Sequence, residues 1–459
     1  MGIELKKKYG LWTAIAMVIG IVIGSGVFFK AELILNKTGG DLPLGILAWL
    51  IGGLIMIIVA NAFSTMATKY EYVNGVVDYA EVTVGKRYAR FIGWFMTTIY
   101  YPAITSVLAW VSARYTCVLI GIPSPEAIIG STCMAIAGLY LVAIYAMNIL
   151  SPVLAGRFQV STTVIKLVPL VAMGIFGTVT GLINGVTVAN FTAVVTRDVT
   201  GNPLFTAIVA TAFAYEGWIV ATSINQELKD AKKNLPRALT IGSIIIVAVY
   251  ILYYIGLAGA APNQLLMDEG AQGVRIAFGN IFGGLGGLLF VFVIISCLGT
   301  CNGLMMGTTR GMYALAVRDQ GPNPKMFSQV DQTTNMPSNS GTLGLLLCGV
   351  WLFFFYGANL TDGLFGSFGF DSSELPIVAL YALYVPMFVQ FMRKEGDLSV
   401  FRRYILPSLA ILCCLFMPVA TVFAHGWAAI GWFMLVFVVA MAIGFAFGLW
   451  KAPAKGTVQ

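Results

Sequence analysis

The sequence predicts an all-α integral membrane protein of twelve transmembrane helices, ordered as two inverted five-helix repeats followed by two further helices. Three observations predict it. The chain has 459 residues, 58% hydrophobic and only 10% charged, whereas a soluble domain carries about a quarter charged residues. The apolar residues gather into runs separated by short polar punctuation, and roughly 20 such residues span a bilayer. Lys and Arg sort to one side of these runs while Asp and Glu do not, which is the pattern that sets membrane orientation.

Taken in order, segments 1 to 5 lie near 11–35, 44–68, 89–119, 127–149 and 158–183. Segments 6 to 10 lie near 203–226, 236–259, 280–317, 341–357 and 364–392, and segments 11 and 12 near 404–424 and 428–449. This divides the chain into tails 1–10 and 450–459, a first repeat 11–183, a second repeat 203–392 and a closing pair 404–449. Place both tails and the even-numbered loops on one side. Of the 27 Lys and Arg residues, only Lys30, Lys37, Arg114, Arg197 and Arg275 then fall opposite, and Lys166 lies inside segment 5. Both tails are expected to be cytoplasmic, in a plasma membrane. The net charge of +7 therefore concerns topology, and no nucleic-acid partner is implied.

The opening MGIELKKKYG runs straight into segment 1 with no small-residue cleavage site, so no cleavable signal is expected. Lys6 breaks the myristoylation pattern. Cys117, Cys133, Cys297, Cys301, Cys348, Cys413 and Cys414 all lie in or beside apolar runs and read as reduced packing residues.

Segment 1 carries Gly24-Ser25-Gly26 midway along its length. Small residues there suit close helix packing, or they interrupt the helix. Segment 6 carries Glu216-Gly217 at its middle. A carboxylate at that depth costs about 3 kcal/mol on insertion scales, and the glycine weakens the helix by about 1 kcal/mol relative to Ala. Glu216 is either paired for packing or part of a site. Segments 1 and 6 are each the first of five, and five is odd, so the halves would be related by inversion. Interrupted helices at matching positions of two halves point to a transporter's central site. Irregular backbone is tolerated in a bilayer only where it lines a cavity. A half-helix starting near Ser25 would offer the N–H groups of Ser25, Gly26 and Val27 to a carboxylate. Half-helices ending near Val22–Ile23 and Phe213–Ala214 would offer carbonyls to an ammonium group. Anion and cation cradles a few ångströms apart suit an α-amino acid.

The motifs "IGSGVF" (23–28), "KLVPL" (166–170), "FAYEGW" (213–218) and "NLPRA" (234–238) resemble those of the L-type branch of the amino acid–polyamine–organocation superfamily. The resemblance implies a five-plus-five inverted repeat with helices 1 and 6 unwound at mid-membrane, an amino-acid substrate and sodium-independent exchange, with no cofactor. It also implies that Ser25 and Gly26 hold the substrate carboxylate. Val22, Ile23 and Phe213 would present carbonyls to the amine, the Phe213 ring would act as a thin outer gate, and Glu216 would stand beside the substrate side chain. Animal members bind a glycoprotein through a cysteine in a C-P-x-P-E loop after segment 3. Here the loop reads Ile122-Pro123-Ser124-Pro125-Glu126, so no disulfide-linked partner is expected and the chain resembles a stand-alone prokaryotic member.

Lys166 lies nine residues beyond Arg157, roughly 13 Å deeper along a helix. It could snorkel back, stand against segment 1 where sodium sits in sodium-coupled relatives of this architecture, or carry a proton. Asn302 in segment 8 could face substrate or make an interhelical hydrogen bond. Gly299, Gly303 and Gly307 suggest close packing, and His425 is expected in a short outer loop. A lone His, scattered Cys and no H-E-x-x-H argue against an enzyme or a metal site. No charge ring or filter sequence suggests a channel. Exchange of small or medium neutral L-amino acids leads, with proton-coupled uptake or exchange of cationic amino acids or polyamines through Glu216 as alternatives.

Overall fold

The computed structural model describes residues 10–70, 75–124, 126–193, 199, 201–221, 228–361 and 364–447. Both tails with their lysines, Arg197, Pro125 and the end of segment 6 lie outside these residues. The described chain is helical, with no strand element. Among the described residues nine helices are long and apolar enough to cross a membrane, or ten if Leu11–Val22 and Ser25–Lys37, bent by 51°, form one crossing.

Several boundaries differ from the apolar runs. Segment 10 begins at Leu375 rather than near 364. The apolar stretch before it folds into turns, where Phe365, Phe368 and Phe370 pack around Phe354 and Phe368 meets Trp432. These residues are hydrophobic because they fill an aromatic cap, not because they continue a helix. The run 280–317 divides at Gly283 (φ 55°), leaving Ala271–Phe282 as a separate helix ahead of Leu285–Ala316. Segments 11 and 12 form one continuous stretch, Phe401–Ala446, interrupted only at Gly426 with φ 76° and ψ 168°.

The halves of segment 1 and the start of segment 6 lie at the centre. Ser25–Lys30 is buried throughout, as is Thr206–Tyr215. The helix Pro203–Tyr215 packs on both Ser25–Lys37 and Leu42–Lys69, and Leu42–Lys69 packs on Ala231–Ala260. Large apolar side chains such as Val160, Val164, Leu412 and Val438 are exposed on segments 5, 11 and 12. A soluble surface avoids such a belt; a bilayer demands it.

Glycines set the closest crossings. Segments 5 and 7 meet at Gly174, Gly177, Gly256 and Gly259. A methyl group on Gly256 would collide with the Met173 carbonyl and lie 2.9 Å from Gly174 Cα. The repeat on segment 8 serves two neighbours: Gly299 and Gly303 face Thr162 and Gln159 of segment 5, while Gly307 faces Tyr101 of segment 3.

Gly256→Val should therefore destabilise the bundle by about 1–3 kcal/mol, the usual cost of overpacking. Thermal unfolding in detergent would show it as a fall in midpoint of several degrees; an unchanged midpoint would contradict the crossing described.

Candidate functional site

Segment 1 stops being helical where its small residues begin. The first helix ends at Val22, Ile23 (φ −66°, ψ 114°) and Gly24 (φ −147°, ψ −149°) are extended, and a new helix starts at Ser25. Segment 6 breaks at the acid: Pro203–Tyr215 is capped by extended Glu216, Gly217 adopts φ +106°, and Trp218 resumes the helix. Gly217 is needed because that φ is strained for any residue with a Cβ.

The two breaks touch. A Cβ on Gly26 would lie 2.6 Å from Ala214 Cα and 3.1 Å from the Phe213 carbonyl oxygen, and one on Gly217 would lie 3.4 Å from the Ile21 carbonyl oxygen. Each interruption leaves amides and carbonyls with no intrahelical partner. Side chains from three other segments take part of this load. Thr300 Oγ1 accepts the Ser25 N–H at 3.2 Å. The Tyr250 hydroxyl is placed to donate to Ala214 O at 3.0 Å or to Val22 O at 3.2 Å. Lys166 Nζ, 4% exposed, donates to the Gly20 carbonyl, which has lost its i+4 amide because the helix has ended.

What remains at the junction is polar and unpaired. Ser25 Oγ is buried without a hydrogen bond. The half-helix Ser25–Lys37 has no side-chain N-cap, so the amides of Gly26 and Val27 point into the break. Glu216 Oε1 accepts from Tyr100 at 2.7 Å. Its Oε2 is buried with no hydrogen bond. The Phe213 ring stands edge-on to Phe29 at 5.9 Å, over the start of the half-helix.

Val22, Ile23, Ser25, Gly26, Val27, Phe213, Ala214, Glu216 and Gly217 thus share one junction, and Lys166 reaches it through Gly20. Asn302 does not. Its Nδ2 donates to Gln159 Oε1 at 2.9 Å and Ala155 O at 3.2 Å, and its Oδ1 accepts from Asn148 at 2.9 Å. Segments 4 and 5 consume the whole amide. Thr300, two residues earlier and roughly 200° round the helix, faces the break instead. Sequence reasoning missed Thr300 and Tyr250. The small residues of LGTCNG could have suggested Thr300, but nothing marked Tyr250 within an apolar run. Cys117, next to the loop that lacks the partner cysteine, is buried.

A model of the amino acid permease family matches residues 9–447. The chain belongs to the amino acid permease family. Among its relatives is the serine/threonine exchanger SteT of Bacillus subtilis (strain 168), 30% identical over 414 residues, covering 89% of each chain. The human b(0,+)-type amino acid transporter 1 is 24% identical over 427 residues, covering 91% of this permease and 83% of the relative. The human large neutral amino acids transporter small subunit 2 is 26% identical over 349 residues, covering 73% and 63%. This permease is an L-type-like member of the amino acid–polyamine–organocation superfamily, a multi-pass membrane amino-acid transporter and not an enzyme.

If Tyr250 shares its one proton between two orphan carbonyls, Tyr250→Phe should cost this permease about 1–3 kcal/mol, the penalty of an unmet buried polar group. A thermal melt in detergent tests it: a midpoint within error of the parent would remove Tyr250 from the junction.

Proposed function

We propose that this permease exchanges small or medium neutral L-amino acids, independently of sodium, by alternating access around the junction of segments 1 and 6. The contact between the two helix breaks carries this reading, because it sets the free amides of Gly26 and Val27, with the unbonded Ser25 Oγ, beside carbonyl ends at Ile23 and Phe213. Those groups match a zwitterion's carboxylate and ammonium. Tyr250 competes for Val22 O, so the ammonium takes the Ile23 and Phe213 carbonyls first. Exchange of serine and threonine by SteT fits a small neutral substrate. The Lys166 ammonium on Gly20 O provides a resident positive charge beside the break, which is the reason for independence from sodium.

The wider architecture follows the same reading. Twelve crossings result if the bent pair, the broken segment 6 and the stretch divided at Gly426 are counted as sequence hydropathy suggests. Segments 1 and 6, 2 and 7, and 3 and 8 pack directly against one another, as a five-plus-five repeat would require. Both tails then face the cytoplasm of a plasma-membrane protein. With Ile122 in place of the partner cysteine, the chain works without a disulfide-linked subunit.

One observation favours a second reading. The unbonded Glu216 Oε2 needs a donor, and a cationic side chain supplies one with opposite charge. A side-chain hydroxyl supplies one without it.

Counterflow with purified protein in liposomes, screening all twenty amino acids with and without a pH gradient, tests the proposal. Uptake should require internal amino acid. Accumulation into empty liposomes driven by acid outside would replace exchange with proton coupling. Ser25→Leu should abolish uptake while the protein stays monodisperse, since the side chain fills the carboxylate cradle; substantial residual exchange would remove that assignment. Glu216→Gln should weaken competition by Lys and Arg at least tenfold, a difference of about 1.4 kcal/mol, and competition by Ala less. Equal losses for both classes would return Glu216 to packing.

A further inference from the structure

On the membrane face opposite the N-terminus, three separate elements converge on one carboxylate. Glu374 stands just before the helix Leu375–Lys394. Its Oε1 accepts from Lys30 Nζ at 2.7 Å and Lys37 Nζ at 2.9 Å, and its Oε2 lies 3.2 Å from Lys37 Nζ and 2.9 Å from His425 Nε2. The two lysines are on the half-helix that starts at Ser25, and His425 immediately precedes the break at Gly426. The side chains of Lys30 and Glu374 are 0% exposed, those of Lys37 and His425 15% and 16%.

This cluster is wired to the site. Lys30 Nζ lies 5.1 Å and 5.2 Å from the ring centroids of Phe29 and Phe213, and so sits over the ring that faces the junction. It also donates to Ser373 Oγ at 3.1 Å, whose hydroxyl donates to Asp371 at 2.6 Å. On the solvent side, a cavity of about 680 Å³ reaches Lys37, Asp371 and His425. Asp371, Glu374 and His425 carry donor atoms within 4.8 Å of one another, but two ammonium groups already neutralise the carboxylate, which leaves little attraction for a metal ion.

A dry ion pair contributes little net stability, because desolvating the charges offsets their attraction; its best-attested use is in fixing one arrangement over another. Admit water, and the same groups separate at low cost. We infer that Glu374 is the hub of an ionic latch that closes the far-face path over the helix junction. Among the described residues, the charged groups facing Glu374 are Lys30 and Lys37 from the half-helix and His425 from the turn, with Asp371 one step away through Ser373. Lys30 and Glu374 are positioning residues that act through Phe213 and the half-helix. The inference rests on the exchange reading only for which solution the far face meets.

The test uses the full chain in liposomes, with its seven native cysteines replaced and a single Phe29→Cys beneath the latch. A membrane-impermeant maleimide supplied at the far face reports opening without any transported substrate. Adding Lys30→Met should raise labelling about fivefold or more, the lower range of a coupling free energy, and lower the KM for far-side amino acid. Lys30→Arg, which keeps the charge, should leave labelling and KM near the parent. Parent-like labelling in a well-folded Lys30→Met protein overturns the latch. If Lys30→Met does not fold, Lys37→Met, which removes the partly exposed partner of the same carboxylate, should raise labelling in its place, and parent-like labelling there overturns the latch. An intact labelling response without amino-acid exchange overturns the exchange reading alone; normal exchange with no labelling response overturns the latch alone.

Discussion

A helix that stops inside an apolar interior must hand its orphan amides and carbonyls to something, and the rest of this permease is arranged around that need. Each unmet group would cost about 1–3 kcal/mol. The bundle answers with one hydroxyl from segment 8, one phenol from segment 7 and one ammonium from segment 5: Thr300 at Ser25, Tyr250 at Val22 and Ala214, Lys166 at Gly20. These side chains come from three helices that enclose segment 1. The small residues that interrupt segment 1 also permit Gly26 to seat on Ala214, so the break and the contact that stabilises it have one cause.

This division of labour separates two kinds of recognition. Under the proposed exchange, the groups common to every α-amino acid meet backbone, whose position depends on helix geometry and tolerates few substitutions. The substrate side chain would then meet Glu216, which Tyr100 holds through one oxygen while the other stays unbonded. On that reading, substrate choice can change at Glu216 without disturbing the cradle. A member of the family can alter its preference with little cost to its fold.

Much of this was legible in the sequence, for a stated reason. Gly24-Ser25-Gly26, Glu216-Gly217 and Lys166 stand out because each violates what an apolar run should contain. Tyr250 does not, since tyrosine is unremarked in a membrane helix until its hydroxyl is found on two carbonyls. Asn302 was the conspicuous polar residue of segment 8, yet helical phase turns it toward segments 4 and 5 and turns Thr300 to the break. Segment 10 was drawn too early because an aromatic cap and a helix have the same hydropathy. Lys30 and Glu374 lie 344 residues apart, and the charge rule that places Lys30 on one face says nothing about its partner.

The two faces also hold their charges differently. On the N-terminal face Lys69 meets Asp397 at 2.7 Å and Glu395 at 3.1 Å, and Arg318 meets Asp78 at 3.0 Å. Lys69, Asp397 and Arg318 keep 33%, 67% and 30% of their side chains in solvent. Such pairs are worth about 0–1 kcal/mol each, so separating them changes little. Glu374 is different: removing one lysine while the cluster stays dry leaves a buried charge short of its partner, which is costly. With the proposed latch, the far face would open only as water enters, whereas the described pairs of the N-terminal face keep at least one partner in solvent. An exchanger needs each face to open in turn, and the proposed latch would set that turn more by the wetting of one carboxylate than by the number of ion pairs on either side.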